Sequence, residues 1–370
     1  MTERTTALYD AHAALGAHFT DFGGWQMPLR YGSELAEHTA VRTAAGLFDL
    51  SHMGEVWVQG PDAAAALSFA LVGAFDTLAV GRAKYSLIVA EDGGILDDLI
   101  VYRLTPERFL VVPNAGNAEL VAGELTVRAA GFTATVTDAS ANTALIALQG
   151  PRAAEILATL VPEADHEDLA ALRYYAAIEL SVDGEPALVA RTGYTGEDGF
   201  ELFIPNSRAA ELWDTLLAAG LTRGLIPCGL AARDSLRLEA GMPLYGNELT
   251  RELTPFDAGF DRVVNLTEGH NFVGRAALEA ARDNRTGRRV LVGLRGEGRR
   301  AARAGYPILC EGEVIGAVTS GQPSPTLGYP IGFAYVDPEF ATPGTPVQAD
   351  LRGKPEAFTV VETPFYRRTR

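Results

Sequence analysis

The feature that most constrains this chain is an internal repeat. Gln59-Gly60-Pro61-Asp62-Ala63-Ala64 follows the strand-like Glu55-Val56-Trp57-Val58, and Gln149-Gly150-Pro151-Arg152-Ala153-Ala154 follows Ala144-Leu145-Ile146-Ala147-Leu148. Each copy reads as a strand, a Gly turn, a Pro at the first helical position and an alanine-rich helix. The likeness continues downstream. After the first copy come the strand-like runs Tyr85–Val89, Ile95–Leu104 and Phe109–Val112, then Pro113-Asn114 opening a helix from about Ala118 to Ala130. After the second come Ala177–Val182, Ala187–Ala190 and Phe200–Ile204, then Pro205-Asn206 opening a helix from about Ala209 to Ala219. The copies are offset by 90 residues at Gln-Gly-Pro and by 92 at Pro-Asn. A fold for this chain must accommodate the same unit twice.

Strand–helix–strand–strand–helix units with antiparallel hairpins predict an α+β, ferredoxin-like arrangement, and two packed units leave room for a ligand crevice. From about Arg289 the character changes. Val290–Leu294, Tyr306–Leu309, Val314–Val318, Ile331–Val336, Pro346–Leu351 and Phe358–Thr363 are short apolar runs between Gly and Pro turns, which predict a small all-β, barrel-like domain. A helix from about Gly274 to Ala281 leads into it. The expected division is a discontinuous α+β domain over 1–53 and 138–265, an inserted α+β domain over 54–137, and a linker helix with the barrel-like domain over 266–370.

Composition narrows the classes of function. The chain has 370 residues, 47% of them hydrophobic, which is enough for a real core. No 18-residue apolar run free of charge occurs, and the acidic N-terminus fits neither a secretory signal nor a transit peptide. Cys228 and Cys310 are the only cysteines, so a disulfide framework and a zinc site are disfavoured and a reducing cytoplasm is the expected compartment. The net charge of −16 repels nucleic acid and anionic membrane but leaves a local arginine free to take an anionic ligand. None of the six histidines has zinc-ligand spacing, so no metal is expected. Gly296-Glu297-Gly298 nearly opens a dinucleotide fingerprint, but strands rather than βαβ units follow it.

Four stretches carry candidate chemistry. Asp97-Asp98 lies in a strand, where alternation sends one carboxylate inward. It is either a catalytic or ligand-orienting acid, or a hairpin acid satisfied by backbone amides. Arg191-Thr192-Gly193-Tyr194-Thr195-Gly196-Glu197-Asp198-Gly199 is either a functional loop or a plain hairpin connection. Glu201 beyond it is harder to dismiss, because it sits between Phe200 and Leu202. Arg233 and Arg237 share one helix face and suit carboxylate capture, or belong to a solvated face with local ion pairs. Asn114 reads as an N-cap, with Asn206 repeating the position. His52, near a strand start, is left without a role.

Taken together and in order, several stretches resemble the glycine cleavage T-protein family nearly end to end. They are Asp21-Phe22-Gly23-Gly24-Trp25-Gln26-Met27-Pro28-Leu29, Phe48-Asp49-Leu50-Ser51-His52-Met53-Gly54-Glu55, Gly93–Tyr102, Arg191–Leu202, Ala232–Tyr245, Thr319-Ser320-Gly321 with Ser324–Gly328, and Pro364-Phe365-Tyr366-Arg367. The resemblance implies three domains around a central folate channel. It implies an aminomethyltransferase with tetrahydrofolate as co-substrate, without metal or flavin. Its donor would be the aminomethyl-loaded lipoyl arm of the H-protein, with a functional link to the P- and L-proteins. It also implies site residues: Asp98 as the catalytic acid, Glu201 and Arg233 as folate-binding residues, and Tyr85, Tyr102, Asn114 and Tyr194 lining the channel.

Relatives of the same fold give the competing readings. In dimethylglycine- and sarcosine-oxidising enzymes a similar domain is joined to a flavin domain, for which this chain has no segment. The iron–sulfur maintenance relative carries a cysteine motif where Arg191–Phe200 has none. A non-catalytic folate-binding module is the reading from a different class.

Overall fold

The structure is a computed structural model that describes residues 4–369. The chain opens with helix α1 (Tyr9–Ala14) and a hairpin of β1 (His18–Phe22) and β2 (Trp25–Arg30). That hairpin turns on Gly23 and Gly24, whose φ values of 61° and 85° match the left-handed pair that a tight two-residue turn requires. Helix α2 (Glu34–Thr43) begins at Ser33, whose hydroxyl accepts from the Ala36 amide, and acids occupy its first turn. Strand β3 (Ala45–Asp49) follows and is buried throughout.

The first repeat copy comprises β4 (Val56–Gln59), α3 (Ala63–Ala70), β5 (Arg82–Val89), β6 (Ile95–Thr105), β7 (Arg108–Pro113), α4 (Ala118–Ala129) and β8 (Thr135–Asp138). The second comprises β9 (Thr143–Gln149), α5 (Ala153–Ala158), α6 (His166–Ala171), β10 (Ala177–Val182), β11 (Glu185–Ala190), β12 (Gly199–Pro205), α7 (Ala209–Gly220) and β13 (Leu225–Pro227). Their sheets run β5-β6-β7-β4-β8 and β10-β11-β12-β9-β3-β13. The order is the same apart from β3, which inserts between β9 and β13, antiparallel to the first and parallel to the second.

The turns of the two copies match in detail. Gly60 and Gly150 have φ of 134° and 131°, and an added Cβ would lie 2.4 Å from the Thr133 carbonyl and 2.6 Å from the Ala44 carbonyl. Both close approaches exclude any larger residue. The prolines fall in the turn just before each helix rather than on its first residue, a difference of the size by which helix ends vary.

By packing, the chain divides into two compact units. One comprises Met1–Ala70, Ala74–Ser86 and Leu99–Arg233; the other comprises Leu71–Gly73, Leu87–Asp98 and Asp234–Arg370. In the first unit, alternation along the strands sends Ala45, Leu47, Ala144, Ile146, Leu148, Val189, Phe200, Leu202 and Ile204 to one sheet face. There they form a core with Ile156 and Leu157 of α5 and with Leu212, Trp213 and Leu216 of α7. The opposite face of the same strands carries the residues discussed below.

The second unit holds helices α8 (Leu230–Glu239, from Asp234 onward) and α9 (Arg275–Asp283). It also holds a closed barrel of β14 (Val290–Gly296), β15 (Pro307–Cys310), β16 (Glu313–Pro323), β17 (Pro330–Val336), β18 (Pro346–Asp350) and β19 (Pro355–Val361). Closure through β14 pairing with both β17 and β19 leaves no free edge. Val292, Leu294, Ile308, Val318, Val336, Val347 and Phe358 fill its interior, while Leu238 packs on Ile331 and Phe333 outside.

Candidate functional site

Glu201 stands in the middle of β12, opposite Ala190 on one neighbouring strand and Ala147 on the other. Alternation places it with Gly199 and Phe203 on the face turned away from the aliphatic core. Its cross-strand neighbours are methyl groups, so the carboxylate has space around it. It is nonetheless buried, and a buried carboxylate needs partners. Thr192 supplies one, donating its hydroxyl to Oε2 in a short bond, and the Tyr102 hydroxyl donates to the same oxygen at 3.3 Å. Tyr102 and Thr192 also share a bond of 2.9 Å, and the Tyr102 ring meets Phe203 edge-on at 5.8 Å. Burial, reinforced by the Glu201 charge, pushes the Tyr102 phenol well above its ordinary range, so it serves as a hydroxyl donor.

The loop from Arg191 to Asp198 joins β11 to β12 and carries Tyr194. It is held at several points. Arg191 forms a fork on Asp198 at 3.0 and 2.6 Å, and Arg42 of α2 donates to the Thr195 carbonyl at 2.7 Å and to Glu197 at 2.9 Å. Arg233, in the first turn of α8, lies with its guanidinium 4.7 Å above the Tyr194 ring. The helix start is fixed by Glu37, whose carboxylate accepts from the amides of Gly229 at 2.9 Å, Tyr31 at 2.8 Å and Gly32 at 3.0 Å.

Arg233 and Glu201 feel one another's charge but form no ion pair, and the buried Nη1 of Arg233 has no partner among the described residues. Burial lowers the Arg233 pKa, and the charges of Glu201 and Tyr194 oppose that shift. An acid and a base shielded from water, near each other and not closed on each other, leave polar groups directed at something else.

His52 belongs to the same neighbourhood. It is buried, its Nδ1 has no partner among the described residues, and Phe22 meets its ring edge-on at 5.6 Å. Burial pulls its pKa down to about 4, with Asp49 opposing and Arg233 adding to the shift, so the ring is neutral near pH 7. Asp49 in turn accepts from Thr6 at 2.6 Å, the Ser51 amide at 2.9 Å and His12 at 3.0 Å.

The acidic pair Asp97-Asp98 lies on β6, in the part of that strand counted with the second unit. The inward acid is Asp97, fully buried, while Asp98 is partly exposed on the opposite face of the strand. Tyr245 of the same unit donates its hydroxyl to the Ile95 carbonyl at 3.1 Å. Its phenol is raised by burial first and then by Asp97, Glu252 and Asp98, so both strand acids lie within electrostatic reach of it.

Four residues expected from the sequence therefore come together: Tyr102, Tyr194, Glu201 and Arg233. Tyr85 lies partly buried on β5. Asn114 does stand at the N-cap position of the turn Ala115–Asn117, but its side chain makes no capping bond, contrary to the capping role expected of it. Asn206 does not repeat it, since its side chain donates to the Ala141 carbonyl at 2.7 Å. Cys228 and Cys310 are both free thiols, the first buried and the second partly so.

Sequence reasoning missed Thr192 and Gln149, which look like ordinary loop and turn residues. It also missed Tyr175, whose φ of 57° is unusual for a non-glycine residue and whose ring is in electrostatic range of Tyr102. Among the described residues, no group of three or more His, Cys, Asp or Glu side chains is arranged to hold a metal ion, and no helix is long and apolar enough to cross a membrane.

Comparison with known proteins decides the family. Residues 8–268 match the family model described as the GCVT N-terminal domain, and residues 289–367 match the glycine cleavage T-protein C-terminal barrel domain. The chain belongs to the glycine cleavage T-protein family. It is 60% identical to the aminomethyltransferase of Streptomyces coelicolor, over 99% of this chain and 98% of that one. It is 55% identical to the aminomethyltransferase of Cutibacterium acnes, over the full length of both. Among solved structures, the glycine cleavage system aminomethyltransferase T from Bartonella henselae matches with a TM-score of 0.91 at 41% identity, covering 99% of this chain and 98% of that one. In this T-protein family member the Glu201–Arg233 cluster lies wholly within the first family model's span, and the closed six-stranded barrel is the region of the second.

Proposed function

We propose that this chain transfers the methylene carbon of an S-aminomethyl-dihydrolipoyl arm, carried by the H-protein, to tetrahydrofolate. The products are 5,10-methylenetetrahydrofolate, ammonia and the dihydrolipoyl arm. The reading rests on family membership and on one observation: Glu201 and Arg233 sit within each other's field, unpaired with one another, with an orphaned guanidinium nitrogen.

The residue types fit the co-substrate. A pterin offers a ring N–H beside an amino group, and a carboxylate accepts such a pair. Two hydroxyls hold Glu201 by Oε2, and no described residue engages Oε1. The folate tail ends in carboxylates, which a planar guanidinium pairs with two bonds at once. Tyr102 and Tyr194 present flat faces to aromatic rings, and we assign Tyr85 and Asn114 to the same channel. These residues bind and orient the acceptor, which is the larger share of what such a transfer requires of a protein.

Asp98 is assigned the acid–base role. It stands partly exposed on β6, where a carboxylate stays open to a ligand. A carboxylate beside the accepting nitrogen of folate stabilises positive charge there and takes up its proton. No metal or flavin enters this scheme. A cytoplasmic setting among the other glycine cleavage proteins is part of the same reading.

The test mixes the purified chain with tetrahydrofolate and aminomethyl-loaded, lipoylated H-protein, and follows ammonia and methylenetetrahydrofolate together. Equal amounts of both are expected. Folate binding without either product would replace the transferase reading with a binding module.

A further inference from the structure

The repeat motif Gln-Gly-Pro occurs twice, and the two glutamines have different fates. Gln59 ends β4 on the surface, exposed to solvent. Gln149 ends β9 with no exposure at all. Its Nε2 donates to the Thr192 carbonyl at 3.1 Å, and its Oε1 accepts from the Thr195 hydroxyl at 2.9 Å. One amide thus grips the Arg191–Asp198 loop on both sides of Tyr194.

The surroundings are shaped to that amide. An added Cβ on Gly193 would lie 2.0 Å from Oε1 of Gln149, and one on Gly199 would lie 2.4 Å from Nε2. Neither glycine has a left-handed φ, so space for Gln149 is what requires them. Beyond the amide, the Thr192 hydroxyl bonds both Glu201 and Tyr102, and Tyr194 lies beneath Arg233. Tyr102, Tyr194, Glu201 and Arg233 are therefore tied, directly or at one remove, to the loop that Gln149 fixes.

We propose that Gln149 is a positioning residue for the acceptor: it holds Thr192 and Tyr194 in the geometry that Glu201 and Arg233 need before the ligand arrives, and Gln59 in the other repeat has no such role. The inference rests on the folate reading above and deepens it. A loop pre-set by a buried amide spares the ordering cost of closing on the ligand, and losing it raises the ligand concentration required.

The test compares Gln149→Met, which keeps the volume and removes both bonds, with Gln59→Met at the matching exposed position. Each is assayed for KM of tetrahydrofolate and for kcat at saturating loaded H-protein. Gln149→Met is expected to raise KM about tenfold, the effect of losing one to two net hydrogen bonds, with a smaller change in kcat. Gln59→Met is expected to leave both unchanged. A purely structural role would instead reduce the amount of active protein, lowering apparent kcat at an unaltered KM, and that pattern overturns the proposal.

If Gln149→Met does not fold, Gly193→Ala displaces the amide without removing it and is expected to raise KM in the same way; an unaltered KM there overturns the proposal equally. Wild-type protein that yields no methylenetetrahydrofolate overturns the folate reading itself, and the role of Gln149 with it. A working wild type with an indifferent Gln149→Met overturns the positioning role alone.

Discussion

The Arg233 guanidinium lies 4.7 Å above the ring of Tyr194, while one of its nitrogens is buried without a partner among the described residues. An ammonium can keep a cation over the ring but has no planar donor fork, so Arg233→Lys keeps the charge and loses the fork. Tetrahydrofolate affinity is expected to fall about 10- to 100-fold, the range for losing a charge-assisted hydrogen bond. A binding titration measures it, and an unaltered affinity would remove Arg233 from the site.

Asp98 is partly exposed where its neighbour Asp97 is wholly buried, so the two acids respond differently to neutralisation. Asp98→Asn keeps the shape of the side chain and removes its charge at a partly exposed position. Its unfolding midpoint and folate affinity are expected to stay close to wild type while turnover falls at least about 100-fold, the usual contribution of a positioned acid–base group. Full turnover by the Asp98→Asn variant would sink the assignment. Stopped assays for methylenetetrahydrofolate at matched folate saturation decide it.

Much of this fold is legible where chain chemistry is local. The two Gln-Gly-Pro turns carry their own geometry, and the strands and helices after them follow from alternation and from 3.6-residue spacing. Strands β3 and β13 do not. β13 is only Leu225–Pro227, and what makes it a strand is a parallel pairing with Ala45–Leu47, far away in sequence. No local pattern encodes such a partner. The same divide runs through the site. Glu201 stands out because an acid between Phe200 and Leu202 has to be explained. Thr192 and Gln149 do not stand out, since their importance lies in whom they touch. A sequence signal for Gln149 does exist in Gly193 and Gly199, which leave it room, but it is readable only once the strand pairing of Gly199 with Gln149 is known. The N-cap reading of Asn114 holds for its position but not for a capping bond, because position alone does not say whether the side chain turns back to the helix.

Arg237, four residues after Arg233, is structural, and the sequence alone does not separate the two. It is buried, donating to Glu248 at 2.9 Å, Asp234 at 2.8 Å, the Met242 carbonyl at 3.0 Å and Ser320 at 2.8 Å. Within the second unit it ties α8 to the chain after it and to β16. Arg237→Met leaves the Glu248 carboxylate buried without its cation and is expected to cost about 3–5 kcal/mol in urea unfolding. The lower end is favoured, because Glu248 keeps the Leu244 amide at 2.9 Å and the Thr319 hydroxyl at 2.6 Å. Adding Glu248→Gln to Arg237→Met is expected to recover part of the loss. A single-variant cost below about 1 kcal/mol would show that the cation is not needed there.

Glu55 makes the clearest pH prediction. Both its carboxylate oxygens are buried with no partner among the described residues, and burial, followed by repulsion from Asp138, raises its pKa from 4.5 to about 9. In the folded chain it is therefore a neutral acid at pH 7. A raised folded pKa means the folded state holds a proton that the unfolded state releases, so the contribution to stability is complete below about pH 4.5 and drains away as pH rises through about 9. Glu55→Gln has the same shape and cannot titrate. Its midpoint of thermal unfolding is expected to equal or trail wild type near pH 5 and to overtake it progressively toward pH 9. His52, depressed to about 4, gives the opposite dependence, with stability lost as pH falls from 6.5 through about 4. It does so equally in both proteins, so the difference between their curves isolates Glu55. Parallel curves across pH 5 to 9 would show that Glu55 is ionised in the folded chain after all, held by a partner that compensates its charge.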